Sequence, residues 1–412
     1  MTRTILHSDM NNCYASIERK LDPSLVGKRL VVCGSVEDRH SVVLAKSYEA
    51  KAFGVKTGDS LYEAKMKCPH LVAVKPHYDE YLKFSKAAHK IYYSYTNQVE
   101  PFGLDECWLD VTGSKKLFGD GKDIAYQIKE RIKKELGITV SIGVSYNKIF
   151  AKLGSDLKKP DAITEIKKEN FKDIVWPLDT DKIIGIGSKT KRKLMYMNIF
   201  TLGELANADV AFLRRKLGIR GLYLWQDANG YDTSEVMDYF EREAIKSVSR
   251  GVTTKADLNS YEEVRKVFEE LAIDVSKKLI EEDLKAGGVR IAIRDRNLET
   301  VSFQKVFSET SISALRLNDM AMELFKACFD FKEAIRSLTI SAINLTRNTH
   351  SEQLTLFGKK QVTKDDRIEK VFNEVREKFG KDKIGYLGLA LNNKMPEKPS
   401  VVTLPSGFRN MR

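Results

Sequence analysis

The chain has 412 residues, of which 42% are hydrophobic, and this length and composition predict about two to four globular domains and exclude a disordered chain. It contains no run of about 18 apolar residues and no basic N-terminal segment followed by an apolar one, so we expect neither a membrane span nor a secretory leader, and we expect a cytoplasmic protein. The 69 Lys and Arg residues against 57 Asp and Glu residues give a net charge of +12, which favours a polyanionic partner because each neutralised phosphate releases a condensed counterion, although a protein with a solvated cationic face has the same composition.

Residues 1–170 predict a mixed α/β domain. Alternating or continuous apolar runs indicate strands, and apolar residues at helical spacing indicate helices. In chain order we expect a strand at 4–8, a helix at 11–20, strands at 29–33 and 41–46, a helix at 60–67, a strand at 71–76, helices at 78–95 and 120–136, a strand at 138–145, and a helix at 147–159 that Pro160 ends.

The sequence pattern changes after residue 170. Residues 171–233 predict short helices joined by glycine turns, and the charged segment 234–246 suits a linker or an exposed helix. Residues 247–347 read strand, helix, strand, strand, helix, strand, which is the β-α-β-β-α-β pattern. Residues 348–412 are expected to form a C-terminal tail with one amphipathic helix at 364–380. The fold class is therefore α+β with several domains.

Two adjacent carboxylates stand out in the stretch PFGLDECWLDV, which otherwise resembles a strand or hairpin. They are Asp105 and Glu106, and Asp9 ends the first strand. Neighbouring residues of a regular strand point to opposite faces, so a turn or bulge between Asp105 and Glu106 would be needed for all three carboxylates to converge. Convergent carboxylates repel one another unless a cation such as Mg²⁺ compensates. The alternative is a solvated hairpin tip, with Asp9 as a turn residue or helix cap.

Five segments, in one order, carry a resemblance to a known family. They are HSDMNNCYASIE (7–18), AKSYEAKAFGVKTGD (45–59), LDECWLD (104–110), IGVSYNKIFAKLGSDLKKPD (142–161) and IIGIGSKTKRKL (183–194). Together they resemble the Y-family DNA polymerases, low-fidelity enzymes that copy damaged templates. The resemblance implies a right-hand polymerase with a palm and fingers in 1–170, fingers at about 20–77, a thumb in 171–233 and a little finger in 247–347.

The resemblance gives the three carboxylates a common role. Asp9, Asp105 and Glu106 resemble the metal-binding carboxylates of the palm, with the Met10 backbone carbonyl as a further ligand. Two Mg²⁺ ions are implied, which can clamp the attacking and leaving oxygens of a phosphoryl transfer. The implied reaction is error-prone, template-directed DNA synthesis from dNTPs on a primer-template, as in translesion synthesis.

Four further residues are implied in nucleotide binding. Tyr14 falls on the steric gate, the aromatic ring that leaves no room for a 2′-hydroxyl, and Tyr48, Lys51 and Lys159 fall where the family binds the triphosphate. A lysine ammonium suits a phosphate. From the residues alone, Tyr14 also fits a core tyrosine on a helix face, and each lysine also fits a solvated charge.

Some positions depart from the commonest family pattern. Lys51 stands where many members have Arg, and Ala45 stands where many have a hydroxyl residue. Trp108 replaces the more common Tyr or Phe. None of these changes removes a metal ligand. The loop from residue 45 to 60 favours the polymerase V catalytic-subunit branch over the polymerase IV branch.

The segment GIGSKTKRKL predicts a DNA contact in a helix-hairpin-helix. Gly185 and Gly187 form a turn that exposes backbone N–H groups at the next helix N-terminus, where the helix dipole favours a phosphate, and Lys189 adds a positive charge. Such a contact would hold the DNA backbone without reading sequence. A simple helix cap is the alternative.

Arginines of the 247–347 domain predict a second DNA contact. Alternation brings Arg290, Arg294 and Arg296 near one another along one strand, and Arg250 and Arg347 lie on other strands. We expect these five side chains to form one phosphate-binding face of the little finger.

The segment QLTLF resembles the peptide by which bacterial proteins bind the sliding clamp. Gln353 would be the polar anchor, and Leu354, Leu356 and Phe357 the apolar side chains. Its place directly after the last domain favours this role over an ordinary strand.

Two other functions fit part of the pattern. A palm-type nucleotidyl cyclase uses similar carboxylates but has no use for a helix-hairpin-helix or a clamp peptide. A catalytically silent DNA-bound scaffold that recruits partners to the clamp would not need all three carboxylates. We therefore expect a monomeric, Mg²⁺-dependent translesion DNA polymerase with primer-template DNA, dNTP and the sliding clamp as partners.

Overall fold

The computed structural model describes residues 3–34, 41–238, 245–347 and 364–379, which form two units that divide between residues 241 and 242. No helix within these ranges is long and apolar enough to cross a membrane. Each unit contains a β-sheet with helices packed on it, so the predicted α+β class is confirmed.

The first unit contains every element predicted for residues 1–170. The strand β8 and the short helices α2 and α5 were not predicted. In chain order the elements are β1 (Ile5–Met10), α1 (Cys13–Leu21), β2 (Leu30–Cys33), β3 (Val43–Lys46), α2 (Tyr48–Ala52), α3 (Leu61–Lys67), β4 (Val72–Val74), α4 (Tyr78–Tyr93), β5 (Val99–Phe102), β6 (Glu106–Asp110), α5 (Lys115–Phe118), α6 (Gly121–Leu136), β7 (Val140–Ser145), α7 (Lys148–Leu157) and β8 (Ile163–Ile166).

A five-stranded sheet in the order β5-β6-β1-β7-β8 forms the centre of this unit. The central strand β1 pairs antiparallel with both β6 and β7, and all six of its residues are buried. Leu6 and Met10 face a core that includes side chains of α4 and α6. On the other face, Ile5 packs with Trp108 and with Ala151 of α7. Both faces of the strand are therefore covered, and its three polar residues are buried as well.

Helix α7 packs very closely on β7 because Gly143 has no side chain. A Cβ atom at Gly143 would overlap the carbonyl oxygen of Ala151. Glycine permits such close contact between two backbones. The helix thereby lies directly over the central strands, with its polar side chains near the end of β1.

Helix α1 begins two residues later than the predicted start at Asn11. Asn12 adopts a left-handed conformation with φ 47°, which Asn tolerates better than most residues. The Asn11 side chain donates to Ser141 Oγ at 2.9 Å and does not cap the helix. As a result, Asp9 and Met10 remain at the end of β1.

A small separate sheet in the order β3-β2-β4 lies in the region predicted to be the fingers. It has its own core, which includes Val31, Val43, Val55 and Ala64. Helix α3 starts with a reciprocal capping box between Ser60 and Glu63. This region is thus a compact lobe inserted between α1 and α4.

The helices that follow residue 170 are short, as predicted. They are α8 (Phe171–Val175), α9 (Ser188–Met195), α10 (Leu202–Asn207), α11 (Val210–Leu217) and α12 (Ile219–Ala228). Their shared core also contains Ile149, Phe150 and Leu153 of α7. The predicted thumb is therefore packed directly on the helix that borders the central sheet.

The segment predicted to be a linker or an exposed helix, 234–246, is described by the structure up to residue 238 and from residue 245. Val236 is only 2% exposed and packs with Ile5 and Trp108 of the central sheet. The carbonyl oxygen of Glu235 accepts a hydrogen bond from Lys148 Nζ at 3.3 Å. Residues 234–238 form no helix and are attached to the first unit.

The second unit has the predicted β-α-β-β-α-β order. Its strands run β11-β10-β12-β9, and both long helices pack on one face. The elements are β9 (Val248–Leu258), α13 (Tyr261–Glu281), β10 (Leu284–Asp295), β11 (Thr300–Ser311), α14 (Ala314–Cys328), β12 (Ile335–Ile343), β13 (Thr346–Arg347) and α15 (Lys364–Phe379). The last strand was predicted as one element to residue 347, but the chain turns at Asn344, where φ is 51°.

Helix α15, the amphipathic helix predicted in the C-terminal tail, packs on the second unit. Phe372 is buried in the core of this unit. The buried Glu369 accepts a hydrogen bond from the Ala314 backbone N–H, 3.0 Å away, at the start of α14. A carboxylate is favourable at a helix N-terminus, so this contact fixes α15 to α14.

Candidate active site

The turn of the hairpin between β5 and β6 ends between the two adjacent carboxylates. Gly103 has φ 79° in its turn, Asp105 is the last turn residue, and Glu106 is the first residue of β6. The Met10 N–H donates to the Asp105 carbonyl oxygen at 2.9 Å. Glu106 lies opposite Asp9 in the register of β1 and β6. The expected interruption of strand alternation is therefore present, and it brings the three residues to one end of the sheet.

Two lysines contact these carboxylates. Lys152 Nζ is 2.8 Å from Glu106 and 3.8 Å from Asp9, and Lys159 Nζ is 2.6 Å from Asp9. Asp156 pairs with both lysines, at 3.3 and 2.8 Å. Lys159 was predicted to bind the triphosphate, whereas Lys152 was missed. The signal for Lys152 was its place on the same face of the helix as residues 148 and 156.

Burial and mutual repulsion perturb the carboxylates. Burial raises the pKa of Asp9 to about 7, with the charge of Glu106 adding to the shift and Lys159 opposing it. Burial and the charge of Glu106 raise the pKa of Asp105 to about 6. Burial alone would raise the pKa of Glu106, but His7 and Lys152 outweigh it and lower the pKa. Negative charge at this end of the sheet is therefore only partly compensated.

His7 is a second residue that the sequence reasoning did not single out. It is fully buried in β1, with Nε2 3.4 Å from Glu106 and Nδ1 2.9 Å from Ser155 Oγ. Burial and the charge of Lys152 lower the pKa of His7 to about 4. At neutral pH the ring is therefore uncharged.

The oxygen ligands of this site are of the type that Mg²⁺ takes. Among the residues that the structure describes, no set of three or more Asp, Glu, His or Cys side chains is arranged to hold a metal ion. The ammonium groups of Lys152 and Lys159 lie against the carboxylates instead. Burial and the charge of Glu106 raise the pKa of Asp9 and Asp105 despite these lysines, and a divalent cation bound there would favour the charged carboxylates. The metal-binding roles of the carboxylates and Met10 stay predictions.

The aromatic residues predicted for nucleotide binding lie near this end of the sheet. Tyr14, on α1, is half-buried and stacks on Tyr81 with ring centroids 4.2 Å apart. Tyr48 begins α2, and burial, together with the nearby charge of Asp9 and against that of Lys159, raises its pKa. Lys51 is exposed one turn later, with Nζ 5.8 Å from the Tyr48 ring centroid.

The predicted thumb hairpin is present. Gly185 has φ 90°, and Gly187 immediately precedes α9, whose first turn contains the exposed Lys189. A Cβ atom at Gly185 would overlap the guanidinium group of Arg220. Arg220 was not predicted, because only the fold places α12 beside this turn. The hairpin thus combines free helix-start N–H groups with two cationic side chains.

The five arginines of the second unit do not form the single face that was expected. Arg290 and Arg294 are exposed on the face of the sheet opposite the helices. Arg250 pairs with Ile340, which is buried on the helix-covered face, so Arg250 does not share the face of Arg290 and Arg294. Strand register, which alternation within one strand does not reveal, decides this difference.

The other two arginines also differ from the expectation. Arg296 lies just past the end of β10, and its Nε is 2.6 Å from the carboxylate of Glu333. Arg347 is exposed on β13, opposite Leu284. Around Arg290 and Arg294 the open face consists mostly of hydroxyl and amide side chains. They are Ser249, Thr253, Thr300, Ser302, Gln304, Ser337, Thr339 and Ser341.

The predicted clamp-binding residues Gln353, Leu354, Leu356 and Phe357 lie outside the described residues.

Comparisons with known proteins place this arrangement in a family. The impB/mucB/samB family model matches residues 8–156, and the model of that family's C-terminal domain matches residues 245–356. A DNA polymerase IV of Acetivibrio thermocellus is 46% identical over 92% of this chain and 96% of the relative. The chain belongs to the Y family of DNA polymerases.

A second relative and a solved structure show which fold and which branch of the Y family the chain resembles. A DNA polymerase IV of Bacillus velezensis is 37% identical over 93% of this chain and 92% of the relative. The solved structure of a Y-family DNA polymerase chimera matches with a TM-score of 0.74 and 26% identity, over 84% of this chain and 100% of that one. The predicted right-hand architecture is thereby confirmed. The preference for the polymerase V branch was wrong, since these relatives are of the polymerase IV type. Y-family DNA polymerases use divalent metal ions.

Proposed function

We propose that this chain is a template-directed DNA polymerase for translesion synthesis, as its Y-family membership and its polymerase IV relatives support. The observation that carries the proposal is the placement of Asp9 opposite Glu106, with Asp105 in the adjoining turn and Lys159 Nζ 2.6 Å from Asp9. Phosphoryl transfer needs mainly positioning and charge compensation, and this cluster supplies both.

The reaction joins a nucleotide to the primer. The primer 3′-hydroxyl oxygen forms a bond to the α-phosphorus of a dNTP, the bond from that phosphorus to the β-phosphate oxygen breaks, and the hydroxyl proton leaves as pyrophosphate departs. Asp9, Asp105, Glu106 and the Met10 carbonyl would hold two Mg²⁺ ions. When bound, these ions neutralise charge on the attacking and leaving oxygens.

The chain's own cations and aromatic rings position the nucleotide. Lys159, beside Asp9, and the exposed Lys51, near the Tyr48 ring, would neutralise triphosphate oxygens, and Tyr48 would contact the same group. Tyr14 is held against Tyr81, so its ring cannot retreat from a sugar placed above it. A 2′-hydroxyl would then meet the ring, which favours deoxyribonucleotides.

Residues outside the carboxylate cluster would bind the DNA and the protein partner. Gly185, Gly187 and Lys189 would bind backbone phosphates, as would Arg290 and Arg294 on the open sheet face. Gln353–Phe357 would bind the sliding clamp. We propose that the protein acts as a monomer in the cytoplasm, where bacterial DNA lies.

Primer extension with the double variant Asp105→Ala/Glu106→Ala tests the proposal. We expect DNA binding to persist and synthesis to fall by at least about a thousandfold, because charge compensation at the phosphoryl group is lost. Undiminished synthesis by the variant would remove the catalytic assignment. Primer-template binding by the wild-type protein without extension would instead support a silent scaffold on the DNA.

A further inference from the structure

Asn11 joins several elements at the end of the central strand. It is 2% exposed and lies between Met10 and the start of α1. Its Nδ2 donates to Ser141 Oγ at 2.9 Å, and its Oδ1 accepts from Thr139 Oγ1 at 3.0 Å. Its backbone N–H donates to the Thr139 carbonyl oxygen at 2.9 Å. The side chain is thus fixed in one orientation by β7 and the residue before it.

The same Oδ1 atom also reaches the turn after α7. It accepts a hydrogen bond from the Asp161 backbone N–H at 2.9 Å. Asp161 has φ 55°, a conformation that costs energy for a residue with a side chain and needs support from its surroundings. On the outer side, Lys129 and Lys133 pair with the Asp161 carboxylate at 3.3 and 3.0 Å.

This turn carries Lys159, two residues before Asp161. Asn11 in turn follows Asp9 by two residues. Lys159 Nζ lies 2.6 Å from Asp9 Oδ2. The buried side-chain amide of Asn11 therefore connects the backbone next to Asp9 with the backbone next to Lys159.

We propose that Asn11 is a positioning residue that holds the Lys159 turn in place to bind the dNTP triphosphate. The inference rests on the proposed polymerase function, and it concerns only how Lys159 is placed. Loss of the Asn11 acceptor leaves the Asp161 N–H without this partner and lets the turn move. Lys159 then spends less time where the phosphates bind, so nucleotide affinity falls.

Single-turnover primer extension over a range of dNTP concentrations separates nucleotide affinity from the chemical step. Asn11→Ala should weaken the apparent dNTP Kd about tenfold, because a buried hydrogen bond is lost, and change the maximal rate much less. Asn11→Asp keeps two acceptor oxygens for Asp161 N–H and Thr139 and should restore the dNTP Kd to within about threefold of wild type.

A matched control removes the hydrogen bond that Nδ2 of the same Asn11 side chain donates. Ser141→Ala abolishes the contact with Nδ2 but leaves the contact with Asp161 intact. Its dNTP Kd should stay within about twofold of wild type. An equal loss in Ser141→Ala and Asn11→Ala would show that general packing is responsible and would overturn the proposal.

The deciding experiment is a double-mutant cycle with Lys159→Ala. If Asn11 acts through Lys159, the tenfold effect of Asn11→Ala should shrink to less than about twofold when Lys159 is already absent. A full effect in that background overturns the proposal. Lys159→Ala itself tests the proposed function, since a dNTP Kd unchanged by this variant would refute triphosphate binding by Lys159 whatever Asn11 does.

A second variant covers the case in which Asn11→Ala does not fold. Asp161→Asn keeps the hydrogen bond to Asn11 and suits the left-handed backbone at this position, but removes the ion pairs to Lys129 and Lys133. It should weaken the dNTP Kd about threefold, and this effect should also vanish with Lys159→Ala. An unchanged dNTP Kd in Asp161→Asn, or a loss that persists without Lys159, contradicts control of Lys159 by this turn.

Discussion

Lys152 Nζ lies 2.8 Å from Glu106 Oε2, so a largely buried lysine of α7 contacts a carboxylate of β6. The same ammonium group is 3.8 Å from Asp9, on the neighbouring strand. Lys152 therefore compensates the charge of two acids that repel each other across the sheet. This relationship connects the stability of the first unit to the same groups that are proposed to act in catalysis.

Replacing Lys152 with methionine should destabilise the protein most when divalent cations are absent. The change removes the lysine that contacts Glu106 and leaves Asp9 with Lys159 as its cationic partner, and breaking a buried pair such as that of Lys152 and Glu106 costs about 3 kcal/mol. Thermal unfolding in EDTA and in Mg²⁺ measures the effect, and Mg²⁺ should restore more stability to Lys152→Met than to wild type. Lys158→Met, at the exposed residue that follows the last residue of α7, is the matched control. Equal Mg²⁺ responses in all three proteins would contradict the compensating role of Lys152.

The raised pKa of Asp9, about 7, predicts a pH dependence of stability. Between pH 4 and 7 the folded state keeps a proton that the unfolded state has lost, so Asp9 lowers the free energy of unfolding as the pH rises. Asp9→Asn does not titrate. Its stability relative to wild type should therefore increase by about 3 kcal/mol from pH 4.5 to pH 8 in EDTA, as measured by urea unfolding. A pH-independent difference would mean that burial does not hold the proton on Asp9.

Removing the ring of Tyr14 should relax sugar selection. In Tyr14→Ala the space beneath the incoming sugar opens, and ribonucleotide incorporation relative to deoxyribonucleotide incorporation should rise by at least about tenfold. Primer extension with each nucleotide type gives this ratio. Tyr78→Ala, which removes a ring 6.1 Å from Tyr14, is the control and should keep the wild-type ratio. A ratio unchanged in Tyr14→Ala would leave Tyr14 as a core residue only.

Two arginines on different faces of the second unit's sheet should differ in their effect on DNA binding. Arg294→Ala removes an exposed charge from the open face, so it should weaken DNA binding and reduce the salt dependence of the binding constant by about one ion. Arg250→Ala, on the helix-covered face, should leave both quantities unchanged. Titrations of full-length protein with labelled DNA at several salt concentrations decide the matter. The reverse order of effects would mean that the DNA does not use the open face.

The buried pair of Glu100 and Lys148 predicts how residues 234–238 are held. Lys148 Nζ lies 2.7 Å from both Glu100 carboxylate oxygens, and the Met237 N–H donates to Glu100 at 3.1 Å. Glu100→Gln leaves the lysine charge buried without its counter-charge, at a cost of about 3 kcal/mol. Hydrogen exchange at 234–238 should accelerate by at least about tenfold. Asn97→Ala breaks only an exposed contact to Asp238 and should have little effect, so equal acceleration in both variants would exclude the ion pair as the cause.

Local sequence patterns were sufficient for most of the fold and for the turn at Asp105. A short apolar run within residues 4–8 located β1, and two adjacent acids that conflict with strand alternation indicated the interruption that Gly103 and Asp105 form. These features depend on residues close in the chain. The pattern therefore contained the needed information.

The contacts that were missed depend on residues far apart in sequence. Lys152 meets Glu106 across 46 positions only because α7 folds over the sheet, and Arg220 meets Gly185 only because α12 packs beside the hairpin. Arg250 was assigned to the wrong face because alternation fixes sides within one strand and says nothing about the pairing of the next. Packing and strand register, and not the helix or strand propensity of a residue, decide where such side chains lie.

Gly143 has a consequence for the distances between charges. Lys152 and the start of the Lys159 turn move with α7, whereas Asp9 moves with β1, and Gly143 is the point where helix and sheet touch backbone to backbone. A side chain there would act as a spacer that lifts the helix and lengthens each lysine-to-carboxylate distance. The absence of a Cβ atom at Gly143 thus determines how close the two lysines lie to the carboxylates at the end of the sheet.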